Sequence, residues 1–241
     1  MRGLAVAWMT VFHFAFDRAY FGGSRQDFLQ DPVWTLQRTA IVSLFLLCAG
    51  AGQAIAVAQG QAWGRFWRRW AQVAGCALLV TAGSWLMFPH SFIYFGVLHG
   101  LAVMLVVARL TAGWGRWLWL AGGVAIALKF AAAWAHAQGL APHWLDAPAF
   151  HWLGLVGRKP VTEDYVPLVP WLGVVWWGMA AGQWVLRHRP QWLSGPASVR
   201  GAGRMAWGAA GVNWLGRHSL PWYMLHQPVL IGLLVAASWR P

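Results

Sequence analysis

The sequence predicts an all-α protein, a polytopic membrane helix bundle of about seven transmembrane helices, with its N-terminus inside and its C-terminus outside. Three observations predict it. Of the 241 residues, 59% are hydrophobic and 10% are charged, against roughly 25% charged in ordinary soluble domains. The mean hydropathy is +0.48. Seven apolar segments reach the about 20 residues needed to cross a hydrocarbon core of roughly 30 Å. So few charges cannot cover a soluble domain of this size. Disorder is excluded as well, because disordered chains are rich in charge and poor in apolar residues.

The seven spans run over about 3–22, 37–58, 71–88, 91–111, 114–135, 166–186 and 216–238. The first begins almost at Met1, which leaves room for a short polar leader, and Asp17 and Arg18 interrupt its far end. No A-x-A site follows it, so a cleaved signal peptide is not expected. The longest outer loop, 136–165, carries Pro142, Pro148 and Pro160. The longest inner loop, 187–204, mixes Gly and Ser with Arg. Both read as connectors within a single membrane-embedded domain over 1–241. The sequence holds no internal repeat, P-loop or dinucleotide glycine fingerprint.

The net charge of +12 raises the question of nucleic acid, and the position of each charge answers it. With the N-terminus inside, Arg2, Arg65, Arg68, Arg69, Arg109, Arg116, Arg187, Arg189, Arg200, Arg204 and Arg217 fall on the inner side with no acid among them. The outer side takes Arg18, Arg25, Arg38, Arg158, Lys159 and Arg240, and all six acids: Asp17, Asp27, Asp31, Asp146, Glu163 and Asp164. Excess cations on one side orient membrane proteins, so the surplus is a topology signal and no nucleic-acid partner is expected. Trp63, Trp67 and Trp70 around Arg65, Arg68 and Arg69, and Trp114, Trp117 and Trp119 around Arg116, suit the headgroup layer. The stretch 60–70 reads alternatively as an amphipathic surface helix that meets anionic lipid or an acidic ligand. Cys48 and Cys76 sit in apolar runs, outside any CxxC pattern, and read as reduced structural residues.

With charge so scarce, ionisable residues inside spans are the functional candidates: His13, Asp17, His99, Lys129 and His226. At 1.5 Å per residue, His13 lies about 16 Å from Arg2, His99 about 15 Å from Arg109, and His226 about 14 Å from Arg217. Three histidines on three spans therefore share one depth, and neighbouring spans would join them in one cavity. Arg2 and His13 differ by about 20° around the first helix, so they share a face. Asp17 lies one turn beyond His13 on nearly the same face. A carboxylate beside an imidazole orients it and suits it to take a proton from a hydroxyl or amine. The competing reading is an inter-helix hydrogen bond that only packs the bundle.

His99 lies between Gly96 and Gly100, a small-residue face that permits close helix packing and could itself explain the histidine. His226 precedes Gln227 and Pro228, and the proline frees a carbonyl one turn back. Lys129 reads as a snorkelling cation or the partner of an acid. Zinc and axial haem ligation are the competing chemistries for these histidines. No HExxH or close histidine pair supports zinc, and no metal site is expected.

Four ordered blocks carry a family resemblance. The first is Arg2-Gly3-Leu4-Ala5 through Phe12-His13 and Asp17. The second is Arg38 with Phe45-Leu46-Leu47-Cys48-Ala49-Gly50. The third is Phe92-Ile93-Tyr94-Phe95-Gly96-Val97-Leu98-His99-Gly100. The fourth is Asp164-Tyr165-Val166-Pro167-Leu168-Val169-Pro170-Trp171, with the later Leu215-Gly216-Arg217-His218-Ser219-Leu220 and Leu225-His226-Gln227-Pro228. The chain thereby resembles the bacterial relatives of the heparan-alpha-glucosaminide N-acetyltransferase catalytic domain, within the wider transmembrane acyltransferase superfamily.

The resemblance implies an acyltransferase of the bacterial inner membrane. It implies acyl-CoA, usually acetyl-CoA, as donor from the cytoplasm, and a hydroxyl or amine of an envelope glycan or similar small acceptor on the outer side. By analogy His13 is the base or transient acyl carrier and Asp17 its orienter, with His99 and His226 as further site residues. Arg2, Arg38 and Arg217 are the candidates to bind phosphate and carbonyl groups. The usual Leu-Asp before the Arg-Gly opening is missing. Where the lysosomal branch places its proposed active histidine, ungapped counting puts Ser24, so that role is not carried over. A non-enzymatic membrane carrier or binder of a small anion or lipid is the alternative, and association of several copies is left open.

Overall fold

Asp31 and Pro32 show how one helix of this chain begins. The Asp31 carboxylate accepts the Val33 N–H at 2.8 Å, and Pro32 supplies a pre-set φ at the first helical position. The helix they open therefore starts about five residues before the apolar run that foretold it. In the computed structural model, residues 1–20, 28, 31–193 and 203–238 are described, with backbone only for Tyr20, 203–207 and Ser238. Ser24, Arg25, Asp27, Arg200 and Arg240, and the Arg204 side chain, lie outside the described residues.

Among the described residues eight α-helices follow in order: α1 (Arg2–Tyr20), α2 (Pro32–Ala58), α3 (Trp63–Met87), α4 (Val97–Leu110), α5 (Trp117–Ala137), α6 (Leu168–His188), α7 (Gly203–Arg217) and α8 (Ser219–Ser238). The protein is an all-α polytopic membrane bundle. Among the described residues α2, α3, α5 and α8 are long and apolar enough to cross a membrane. The shorter α4 is apolar too, while α1 and α6 are of spanning length but carry polar residues or tryptophans. Trp63–Met87 is one continuous helix, so the basic, Trp-rich stretch is its first two turns and not a separate surface helix.

Two expectations need correction. The span foreseen over 91–111 is helical only from Val97. The segment before it runs extended and pairs with the long outer loop, through a Phe95–Tyr165 bridge. A helix also occupies 203–217, where only a connector was foreseen. Its four glycines weaken the helical signal, and its packing against α1 supplies what propensity does not.

The chain divides into two compact units, Met1–Phe45 with Pro196–Pro241, and Leu46–Gly195. The boundary falls inside α2. In the first unit, Ala5, Val6, Met9 and Phe12 of α1 are buried, while Leu4, Trp8, Val11 and Phe14 are exposed. Both sets repeat at helical spacing. An apolar face that packs and a second apolar face that stays open is the signature of a helix solvated by lipid. Met9, Phe12, Phe28 and Ile41 form the core here, with Trp34, Trp222 and Tyr223 packed around it.

In the second unit α6 is the most buried helix, with Leu172, Gly173, Val175, Gly178, Met179 and Gly182 all covered. Its crossing with the C-terminal half of α2 needs small residues. A Cβ on Gly178 would lie 2.7 Å from the Leu47 Cα and closer still to the Leu47 carbonyl. Helices without a solvent-driven reason to associate in lipid gain by this close packing.

Within the second unit, segments assigned to one side of the membrane pair with each other. On one side the Glu163 N–H donates to the Ser91 carbonyl at 2.9 Å, and Thr162 Oγ1 donates to the Phe92 carbonyl at 2.9 Å. On the other, Arg109 donates to the Gln61 carbonyl and stacks 5.1 Å over Trp63. Gln183 donates to the Ala112 carbonyl at 2.8 Å.

Candidate active site

The site begins with a close approach of two backbones. Gly3 of α1 sits so near the Val212 carbonyl of α7 that no Cβ fits there. Gly216 reaches the same end of α1, where a Cβ would lie 3.3 Å from the Gly3 nitrogen. This explains locally why an Arg-Gly opening and a Gly-Arg pair belong together. Arg2 and Arg217 flank the junction, and both are exposed.

After the one-residue break at His218, α8 starts beside α1 and runs parallel to it. Trp222 Nε1 donates to Thr10 Oγ1 at 2.8 Å, and Thr10 Oγ1 donates onward to the Val6 carbonyl at 2.9 Å. One turn further along both helices, the His13 and His226 rings meet edge to face, with centroids 5.0 Å apart. The equal depths reckoned from Arg2 and Arg217 thus end in a meeting of rings, because the two helices share an origin and a direction.

The His226 ring is oriented by its own helix. Its Nδ1 lies 2.8 Å from the Tyr223 carbonyl and 3.2 Å from that of Trp222. Carbonyls only accept, so Nδ1 carries the hydrogen and Nε2 keeps its lone pair. Among the described residues that buried Nε2 has no hydrogen-bond partner, and His13 Nδ1 is in the same condition. Buried polar atoms are almost always paired, so two adjacent imidazoles with unmatched nitrogens mark a place built to receive something.

Asp17 completes the cluster at 3% exposure. Its Oδ2 makes no formed hydrogen bond, and the side chain that interacts with its carboxylate is Gln227, the neighbour of His226. Asp17 is thus tied to α8 through Gln227, and not to His13 by a bond from Oδ2 to Nδ1. Gln227 is the residue that sequence reasoning passed over. Its signal was its place directly after His226, in a helix otherwise apolar around it.

The remaining site candidates fall elsewhere. His99 belongs to the second unit. Its Nε2 pairs with Thr81 Oγ1 at 2.9 Å, and Thr81 gives its own hydrogen to the Ile93 carbonyl at 2.8 Å. His99 Nδ1 accepts the Gly96 N–H at 3.3 Å. Both nitrogens are thus spent on the start of α4, where Asp164 Oδ2 also accepts the Val97 N–H at 2.7 Å. The third and fourth sequence blocks meet here as a helix cap.

Arg38 is exposed and follows Gln37, whose Oε1 accepts from Trp8 Nε1 at 3.2 Å. Because α2 starts at Pro32, Arg38 stands level with the middle of α1 and not at the outer edge of its span. Neither Cys48 nor Cys76 forms a disulfide. Among the described residues no three His, Cys, Asp or Glu side chains are grouped to hold a metal ion.

The fold and the site define a polytopic all-α membrane protein that holds a buried histidine pair inside one helix pair. The comparison with protein families agrees: the profile described as heparan-alpha-glucosaminide N-acetyltransferase, catalytic, matches residues 1–228. The chain belongs to that family, and a membrane acetyltransferase type of function goes with it. No curated protein and no solved structure matches the chain.

Proposed function

We propose that the protein moves an acetyl group from acetyl-CoA on the cytoplasmic side to a hydroxyl or amine of an envelope glycan or similar small acceptor, across the bacterial inner membrane. The orientation that goes with this reading is N-terminus inside and C-terminus outside. The observation that carries it is the pair of unmatched nitrogens, His13 Nδ1 and His226 Nε2, on rings 5.0 Å apart.

The donor's thioester would supply a carbonyl carbon that the acceptor oxygen or nitrogen attacks, with the C–S bond breaking and CoA leaving as the thiol. The chain's own residues fit the rest. His226 Nε2 presents a lone pair fixed in place by the Tyr223 carbonyl, which is what a general base needs. In ring contact with His13, it takes the acceptor's proton and returns it to the departing sulfur, and the transfer needs both imidazoles. Asp17, one turn further along α1 and engaged by Gln227, is the buried carboxylate nearest in sequence to His13. Arg2 and Arg217, exposed at the joined ends of α1 and α7, suit the phosphates of the donor.

The test uses purified protein in proteoliposomes with radiolabelled acetyl-CoA and two probe acceptors, glucosamine for the amine and glycerol for the hydroxyl. Acetyl transfer or release of the CoA thiol that disappears in His13→Ala supports the reading. Equal turnover in both proteins refutes the assignment of His13. A non-enzymatic binder would show saturable acetyl-CoA binding and no turnover in any variant.

A further inference from the structure

A second polar concentration lies in the second unit. The outer loop folds into two short 3₁₀ turns, His143–Asp146 and Pro148–Leu153. Between these turns and α5 lies a cleft of about 740 Å³ lined by Lys129, His136, Asp146, His151, Arg158 and Lys159 among others. Lys129, Arg158 and Lys159 share that lining with one carboxylate.

That carboxylate is already engaged with its own loop. Asp146 Oδ1 accepts the Gly157 N–H at 2.7 Å, and Oδ2 lies 3.6 Å from His136 Nδ1. Two histidines complete the wall. His151 Nε2 faces the Asp146 carbonyl at 3.0 Å, so it carries the hydrogen, and Nδ1 accepts from the Tyr94 hydroxyl at 2.8 Å. Tyr165 donates to the His151 carbonyl, and burial, with Tyr94 adding to it, pushes the Tyr165 hydroxyl well above the usual tyrosine range, so it stays a donor. His136 Nε2 is held by the Leu155 carbonyl at 2.8 Å.

Among the described residues Lys129 holds a single long hydrogen bond. It sits on α5, about 12 Å below the helix end at Ala137, where an ammonium in a span is costly without a partner. The neighbour the structure gives it is the Gly154 carbonyl at 3.5 Å, at the outer limit of a hydrogen bond. An ammonium has three donors. It therefore lies at the half-buried wall of an open cleft with donating capacity left over, while Arg158 and Lys159 stand exposed on the same lining.

We propose that this cleft is a binding site for an oxyanion, a carboxylate, sulfate or phosphate group on a small ligand, with Lys129 as the deep donor and Arg158 at the rim. The site does not depend on acetyl transfer, and its test is a binding measurement.

The full chain is placed in nanodiscs of phosphatidylcholine and titrated calorimetrically with sulfate, phosphate and glucuronate. Ionic strength is matched with chloride, and glucose is the neutral control. The expected result is saturable binding of at least one oxyanion and none of glucose. Lys129→Gln weakens that binding about tenfold or more, as removal of one charge-assisted hydrogen bond should, and Lys129→Arg retains most of it. Arg158→Gln, an exposed position that cannot disturb packing, weakens it as well and decides the matter if Lys129→Gln fails to fold. Loss of oxyanion binding when phosphatidylglycerol replaces part of the lipid identifies a headgroup as the source. Unchanged binding identifies a soluble ligand. Absence of binding at millimolar concentrations, or wild-type affinity in both Lys129→Gln and Arg158→Gln, overturns the proposal.

Discussion

Replacing His226 with Asn separates the two jobs that one imidazole does. The amide nitrogen of Asn can take the place of Nδ1 and donate to the Tyr223 carbonyl, now held at 2.8 Å. The hydrogen bond, worth about 0.5–1.5 kcal/mol net, is therefore kept. What disappears is the far edge of the ring and its unmatched Nε2. Shrinking a side chain that is 6% exposed costs about 1–2 kcal/mol, an ordinary loss for a buried substitution. A fold with about 5–15 kcal/mol in hand survives it. Loss of a general base costs about 10²- to 10⁴-fold in rate, or about 3–5 kcal/mol of barrier. The rate effect thus exceeds anything partial unfolding produces. The assay is labelled acetyl transfer in proteoliposomes, normalised to the folded fraction by size exclusion and thermal melting. His226→Asn protein that melts near wild type and transfers at the wild-type rate would show that Nε2 takes no proton, and the base assignment would fall.

Three further outcomes follow from the same geometry. Asp17→Asn removes a buried charge whose Oδ2 has no bond to lose, so the melting temperature should hold or rise while transfer drops; a drop in both would make Asp17 a structural residue. Asp164→Ala strips the cap from the Val97 N–H and should cost about 0.5–2 kcal/mol, with Asp164→Asn losing less; melting curves of the two variants decide. Gly178→Leu drives a side chain into the Leu47 backbone, which cannot move aside, and should destabilise by about 1–3 kcal/mol or more; an unchanged melting curve would mean that α2 and α6 do not cross there.

The membrane class was legible because bilayer thickness fixes span length, and the chain has too few charges for any other surface. Element starts were less legible, for specific reasons. The start of α2 is written in Asp31 and Pro32, which are cap signals and not apolar ones, so a reading by hydropathy placed it late. The α7 helix was hidden by Gly203, Gly208 and Gly211, since it forms by packing on α1 and not through propensity. Residues 91–96 look apolar enough to span, yet the carbonyls of Ser91, Phe92 and Phe95 accept from residues 162–166, a non-local pairing that no window over the sequence can see.

The candidate site shows the same division between what is local and what is not. Depth along a helix is local arithmetic, so His13, His99 and His226 came out level. Depth says nothing of direction around the bundle, and at that step the three part company. His13 and His226 meet because Gly3 and Gly216 bring the starts of α1 and α8 to one point, after which two parallel helices must carry equal depths to equal positions. His99 lies in the other unit, and both of its nitrogens are consumed by Thr81 and Gly96. A histidine with both nitrogens paired at a helix start stabilises that start. Two histidines that touch while each keeps a buried nitrogen unpaired cost the fold something, and a fold that retains such a cost at the same place as a buried carboxylate has a use for it.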